Sequence, residues 1–387
     1  MGAAPRVRAL RVLTFLHSFE PGGVERIALR MVRHWRELGV DAPLFMGRLE
    51  GGMRDDVGAG LDPISPPGAG PGVAGMETLW MIWTLPKVVR RLRPDVLFCA
   101  GNTYAVIAVA LKVLLGRDCP PIVVKISNDL DRRDQPRWFR FAYRLWLKIQ
   151  GRRLDHFIGM EAPMAEEIGD CLGVSADRVT IIPDPALSGP LIARLRASRQ
   201  APRTNGAGRC FVCVARLTPQ KNIALMLRAF ARGALAADTL TIIGDGPERG
   251  KLERLAVDLG LKTRVVFRGY LPDPVNQLTS FDILLLSSDY EGVPAVVLEG
   301  LAAGLPIVAT DCGRSMKTLL GHGDLGLLVE VGDERALAEA IATVRPGSQD
   351  AQKSLALAQR FTIESACETY LSTMSRLCLA QVTNDAR

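Results

Sequence analysis

The chain has 387 residues, enough for two domains of ordinary size, and its 48% hydrophobic content can fill a core in each. No apolar stretch reaches the uncharged length needed to cross a bilayer, and the nearest, Tyr104 to Leu115, is interrupted by Lys112 and reads as a buried helix. Met1 to Leu10 lacks a long apolar segment with a small-residue cleavage site, so no export signal is expected, and eight scattered cysteines suit a reducing cytoplasm rather than a disulfide framework.

Short apolar runs alternate with helical patterns along the whole sequence, the signature of parallel sheets covered by helices on both faces. In the first half the runs fall near residues 10–16, 41–46, 95–100, 121–127, 156–160 and 179–183. The first leads into Pro21-Gly22-Gly23-Val24-Glu25-Arg26, where two glycines before a helix permit close backbone approach to a ligand; alone, the segment is equally an ordinary turn.

Residues 132–153 carry eight basic side chains against Asp134 alone. Trp138, Phe139, Phe141, Tyr143 and Trp146 are interleaved with Arg140, Arg144 and Lys148 at helical spacing. Two readings stay open: a helix on an anionic membrane surface, or one whose aromatics fill the core while its arginines are solvated. Nucleic acid is not an expected partner, because no recognised binding motif accompanies the patch.

Pro183-Asp184-Pro185 closes the first set of strands, and a turn-rich stretch from Pro202 to Gly208 reads as the linker. The expected organisation is one domain at 1–200, a second at 201–363 and a closing helix in 364–387.

The second set of strands is expected near 210–215, 239–244, 265–268, 283–288, 306–310 and 326–330. Cys210 and Cys213 have C-x-x-C spacing, but on a strand they point to opposite faces and cannot share a metal. After that strand, Arg216 and Lys221 place two cations above the sheet, where phosphate binding is the favoured reading. Gly244-Asp245-Gly246 begins like a dinucleotide fingerprint, yet Arg249 stands where the third glycine belongs. No G-x-x-x-x-G-K-[ST] loop occurs.

Glu291 and Glu299 then bracket a strand-to-helix turn. Pro294 suits the first turn of the helix, and the free N–H groups of Ala295, Val296 and Val297 would form an anion site. Carboxylates repel phosphate, so two beside such a site suggest recognition of hydroxyls, as on a ribose and a sugar. The expected ligand is a nucleotide-sugar.

Taken together these motifs resemble those of the retaining glycosyltransferases of family 4. The likeness rests on Pro21 to Arg26, Arg216-Leu217 with Lys221-Asn222, Ile243 to Pro247, the Glu-x7-Glu spacing of Glu291 and Glu299, and Ala303 to Thr310. It implies the GT-B arrangement, an α/β fold of two Rossmann-like doubly wound parallel-sheet domains facing a central cleft. It implies that Arg216 and Lys221 bind the donor diphosphate, Glu291 contacts the donor sugar and Glu299 holds the ribose hydroxyls. Gly22 and Gly23 would approach the donor, with Gly244, Pro294, Ala295, Val296 and Val297 completing its site.

The implied activity is transfer of a sugar from a nucleoside-diphosphate-sugar to a glycan or lipid-linked acceptor with retention, in cell-surface polysaccharide or lipopolysaccharide synthesis. No metal or other cofactor is expected, and the setting would be cytoplasmic, peripheral on the inner face of the membrane. The chain departs from the family where many members carry a histidine, and Ser127-Asn128-Asp129 stands there instead. Asn128 can hydrogen-bond a sugar hydroxyl but cannot act as a base. An epimerase or phosphorylase on the same fold, or a catalytically silent nucleotide-sugar binder at the membrane, remain the alternatives.

Overall fold

The computed structural model describes residues 10–66, 75–128, 130, 136–199 and 208–385. The chain divides into two compact units, residues 1–185 with 363–387, and residues 186–362. Asp129, residues 132–135 of the basic segment and most of the Pro202 to Gly208 stretch lie outside the described residues.

Unit 1 runs β1 (Val12–Leu16), α1 (Gly23–Glu37), β2 (Leu44–Met46), α2 (Glu77–Leu92), β3 (Val96–Cys99), α3 (Ala105–Leu115), β4 (Ile122–Lys125), α4 (Arg137–Arg153), β5 (His156–Gly159), α5 (Met164–Leu172) and β6 (Val179–Ile181). Its strands are all parallel, in the order β2-β1-β3-β4-β5-β6. Every residue of β1, β3 and β4 is buried, as strands covered on both faces must be. Right-handed crossovers put α1 on one face and α2 to α5 on the other, because only the β1 to β2 step runs leftwards.

Unit 2 runs α6 (Gly189–Ser198), β7 (Cys210–Val214), α7 (Ile223–Gly233), β8 (Thr239–Ile243), α8 (Arg249–Asp258), β9 (Val265–Gly269), β10 (Ile283–Leu286), α9 (Ala295–Ala303), β11 (Ile307–Thr310), α10 (Met316–Leu319), β12 (Gly326–Val329), α11 (Glu334–Thr343) and α12 (Ala351–Gln359). The order is β12-β11-β10-β7-β8-β9, again parallel throughout. All twelve segments expected from the sequence are strands.

The expected domain boundaries shift. Helix α6 belongs to unit 2, not to a domain ending at 200: Leu191, Ile192 and Leu195 are buried, and Arg196 donates to Leu301 O at 3.1 Å. The crossover therefore falls at Pro185, where a rigid Pro-Asp-Pro leaves the sheet. The closing helix, α13 (Ile363–Asp385), returns to unit 1 and covers α1, with Tyr370 set edge-on to Phe98 at 5.5 Å and to Trp35 at 6.3 Å. A second correction concerns α3, which is buried on one side only; Val106, Val113 and Leu114 are exposed.

Candidate functional site

In unit 2 the chain leaves β7 rightwards toward β8 and leaves β10 leftwards toward β11, so the switch point lies between these neighbouring strands. Ligands of open parallel sheets bind outside the carboxyl ends at such a point. Arg216 and Lys221 follow β7 and Glu291 follows β10, which brings residues 70 positions apart onto one edge.

There Lys221 Nζ pairs with Glu291 Oε1, and the Ser288 hydroxyl donates to the same oxygen at 2.8 Å. The sequence assigns this cation to a phosphate and this carboxylate to a sugar; in the structure they pair with each other. Arg216 is exposed and forms no ion pair among the described residues. Glu291 is buried, and its own N–H donates to Cys312 O at 2.7 Å. Burial, and then the charge of Glu291, hold the Cys312 thiol protonated well above its ordinary range.

The loop carrying Lys221 is tied down from beneath. The Ser287 hydroxyl donates to Lys221 O at 2.9 Å, and Gln220 Nε2 donates to Tyr290 O at 2.9 Å. Asn222 has φ 43° and ψ 45°, a left-handed geometry that asparagine tolerates, and its side chain caps α7 by accepting from Leu225 N–H. Its Nδ2 also donates to Asp289 Oδ1 at 2.8 Å. These ties explain why asparagine follows the lysine, and none of them, nor the part played by Ser287 and Ser288, is legible in the sequence.

Helix α9 starts beside this cluster, with Pro294 at the N-cap rather than inside the first turn. Val297 N–H donates to Pro294 O at 3.0 Å, so the expected trio of free N–H groups narrows to Ala295 and Val296. Glu299 lies in the second turn and is buried, like Glu291. The Ser315 hydroxyl donates to Gly292 O and holds the turn between the two glutamates.

Gly244 has φ +137°, and a Cβ on it would fall 1.9 Å from Ala215 O; one on Gly246 would fall 2.4 Å from Leu217 O. These glycines let the loop after β8 press against the loop carrying Arg216, and Leu217 N–H donates to Asp245 O at 2.9 Å. Arg249 bonds Asp245 and Glu253, each at 2.8 Å, instead of leaving the opening a dinucleotide fingerprint needs.

In unit 1 the switch point lies between β1 and β3. Gly22 is the extended N-cap of α1, and the Glu25 carboxylate occupies the space a side chain on it would need; Gly23 has open space around it. The Tyr104 hydroxyl donates to Glu25 Oε1 at 2.7 Å and its ring packs 4.6 Å from that of His17, whose pKa burial lowers. Glu25 stands in the Pro21 to Arg26 motif, but its meeting with Tyr104 and His17 is not legible in the sequence, since it depends on β1 lying beside β3.

Ser127 and Asn102 tie the loops after β3 and β4: Ser127 N–H donates to Asn102 Oδ1 at 2.8 Å, and Asn102 N–H reaches Ser127 Oγ at 3.4 Å. The serine hydroxyl thus has a structural partner, while Asn128 beside it is half-buried. On α4, Phe139, Tyr143 and Trp146 are half-buried, but Trp138 and Phe141 are 73% and 76% exposed. The aromatics expected as one set divide between two sides of the helix. Cys210 and Cys213 are not joined in a disulfide, and the Thr239 hydroxyl donates to Cys210 Sγ at 3.6 Å.

Residues 22–185 match the family model described as glycosyl transferase 4-like domain, and residues 208–345 match the one described as glycosyl transferases group 1. The chain belongs to the family 4 glycosyltransferases. It is 26% identical to the lipopolysaccharide core biosynthesis glycosyltransferase LpsE of Rhizobium meliloti strain 1021, over 86% of this chain and 88% of that one. The fold matches that of HepE of Anabaena in complex with UDP-glucose, with TM-score 0.73, 19% identity and coverage of 95% and 100%. It also matches the lipopolysaccharide outer core galactosyltransferase WaaB, with TM-score 0.70, 18% identity and coverage of 95% and 99%. This family member has the GT-B fold, as its motifs implied. No helix among its described residues is long and apolar enough to cross a membrane.

Proposed function

We propose that this glycosyltransferase takes a hexose from a nucleoside-diphosphate-sugar, with retention of configuration, and places it on a glycan or lipid-linked acceptor in cell-surface polysaccharide or lipopolysaccharide synthesis. The observation that carries the reading is the Lys221, Glu291 and Ser288 cluster at the switch point of unit 2, with exposed Arg216 and the start of α9 beside it. Departure of a nucleoside diphosphate builds negative charge on its β-phosphate. Arg216, Lys221 and the two N–H groups at the start of α9 would stabilise that charge.

Lys221 has a further part in this scheme. A buried carboxylate holds it in place before the donor arrives, and an incoming diphosphate then shares it. Glu291 is thereby released toward the sugar hydroxyls, and Glu299 holds the ribose. The relatives' lipopolysaccharide names support the pathway class, and the UDP-glucose complex of HepE supports a donor of that kind.

The reaction is taken to be metal-independent, a reading supported by the lack of any group of three or more His, Cys, Asp or Glu suited to a metal among the described residues. Activity that survives exhaustive chelation agrees with this, and recovery only on adding magnesium or manganese contradicts it. The setting we propose is the cytoplasm, at the inner face of the membrane through the basic segment 132–153, without a nucleic-acid partner.

Incubating the purified protein with a panel of nucleotide-sugars, and scoring both binding and hydrolysis, tests the main reading. One donor should bind and be hydrolysed slowly without acceptor. Binding without any turnover, even with acceptor lipid extracts, would instead support a catalytically silent binder, and the absence of both would overturn the site assignment.

A further inference from the structure

Ser288 closes a ring of four hydrogen bonds at the base of Glu291. Its hydroxyl donates to Glu291 Oε1 at 2.8 Å, and Glu291 N–H donates to Cys312 O at 2.7 Å. Cys312 N–H in turn donates to Thr310 O at 2.8 Å, and the Thr310 hydroxyl returns to Ser288 O at 2.6 Å. Ser288 and Thr310 are both fully buried, and Cys312 nearly so. The ring spans the carboxyl ends of β10 and β11, which are paired from Leu284 with Ile307 to Leu286 with Ala309. Its geometry is therefore inherited from the sheet.

The two oxygens of the Glu291 carboxylate are used differently. Oε1 accepts from both Lys221 Nζ and the Ser288 hydroxyl. Oε2 accepts from no group among the described residues, and it is not sealed off from solvent. One oxygen is thus held by the protein and the other is left for a ligand.

Lys221 and Ser288 grip the same atom, but a diphosphate affects them unequally. The lysine is a flexible cation with a partly exposed side chain, and a phosphate competes for it. The serine is neutral and short, and its backbone is bonded into the ring, so no anion draws it away. We propose that Ser288 is a positioning residue for sugar transfer: once the diphosphate has taken Lys221, the serine hydroxyl keeps hold of Oε1 and so keeps Oε2 turned toward a hydroxyl of the donor sugar. This role rests on the glycosyltransferase reading above. Without the serine the carboxylate is free to turn about its last bond, and a misplacement of about 1 Å near reacting groups costs up to roughly a hundredfold in rate.

Kinetics of Ser288 variants on the donor found in the nucleotide-sugar panel test it. Ser288→Ala should lower kcat by roughly tenfold or more, the worth of a hydrogen bond to a charged group, and leave the Kd for the nucleoside diphosphate within about twofold of the wild type. Ser288→Thr keeps the hydroxyl and should recover most of kcat. Thr310→Val removes the tie beneath the serine and should lower kcat in the same way, by a smaller factor. Monodeoxy forms of the donor supply a readout that a merely structural serine would not move. The wild type should turn over one of them roughly tenfold more slowly than the parent donor, because Oε2 has lost its partner, and in Ser288→Ala that ratio should fall toward one.

Wild-type kcat in Ser288→Ala would overturn the role of Ser288. So would an unchanged ratio for the deoxy donor, or loss of nucleoside-diphosphate affinity in step with kcat, since either marks a serine that only holds the turn together. If Ser288→Ala does not fold, Thr310→Val decides by the same readouts. If the wild type turns over no donor, the functional reading fails and the positioning role with it; if the wild type is active and Ser288→Ala matches it, the functional reading stands and the positioning role alone falls.

Discussion

The carboxyl edges of the two units are built differently. In unit 2, buried Glu291, Lys221 and the hydroxyls of Ser287 and Ser288 form one bonded set over the switch point, with buried Glu299 on the neighbouring helix. In unit 1 the corresponding edge has a glycine loop propped by Glu25 and Tyr104, and a serine tied to an asparagine, with exposed Trp138 and Phe141 alongside. A shared chemical step demands fixed charges, and a variable partner needs only shape and hydrogen bonds. The difference teaches that motif resemblance is carried mainly by the half whose charged side chains are bonded into place.

The sharpest way to break this comparison is at Lys221. Lys221→Ala should lower donor turnover by well over tenfold, since a charge-assisted hydrogen bond is worth about 1.5–3 kcal/mol. It should also destabilise unit 2 by about 2–3 kcal/mol, because Glu291 is left buried without its partner. Arg216→Ala, at an exposed side chain with no ion pair, should lose donor affinity by more than tenfold with an unchanged Tm. Adding Glu291→Gln to Lys221→Ala should restore most of the lost Tm, and additive Tm losses would show that the two residues are not coupled.

The two glutamates should fail differently. Glu299→Gln should weaken binding of the nucleoside diphosphate itself. Glu291→Gln should lower kcat and leave that affinity nearly intact, as expected of a contact made chiefly in the transition state. Calorimetric titration of both variants decides, and the opposite pattern reverses their roles.

A smaller effect belongs to unit 1. Asn128→Ala should raise the acceptor KM several-fold and leave acceptor-free donor hydrolysis unchanged; a matching drop in hydrolysis would erase the division of labour between the units.

The smallest effect concerns His156, buried on β5 with Nε2 2.8 Å from Thr180 Oγ1. Burial, then Arg376 and Arg178, lower its pKa from 6.5 to about 4. The folded state therefore favours the neutral ring. Its stabilisation is complete above pH 6.5 and is lost as pH falls toward 4, by about 2 kcal/mol once solvent screening is allowed for. His156→Gln should flatten Tm against pH across that window, and an identical slope in the variant would remove His156 as the cause.

The sequence by itself determined the twelve strands, the two-domain plan and the motifs at both switch points. Buried parallel strands are continuous apolar runs, and glycine, proline and asparagine mark the turns between them, so local chemistry is enough. Only the tertiary structure decided that Lys221 meets Glu291, because that contact follows from β7 lying beside β10. It also decided that α6 joins unit 2 and α13 returns to unit 1, since an amphipathic helix does not specify which sheet will cover it. For the same reason helical period found the aromatics of α4 but not their division. A helix apolar on two sides has two stripes of equal period, and the neighbours α3 and α5 bury one of them and leave Trp138, Phe141 and Leu145 facing out.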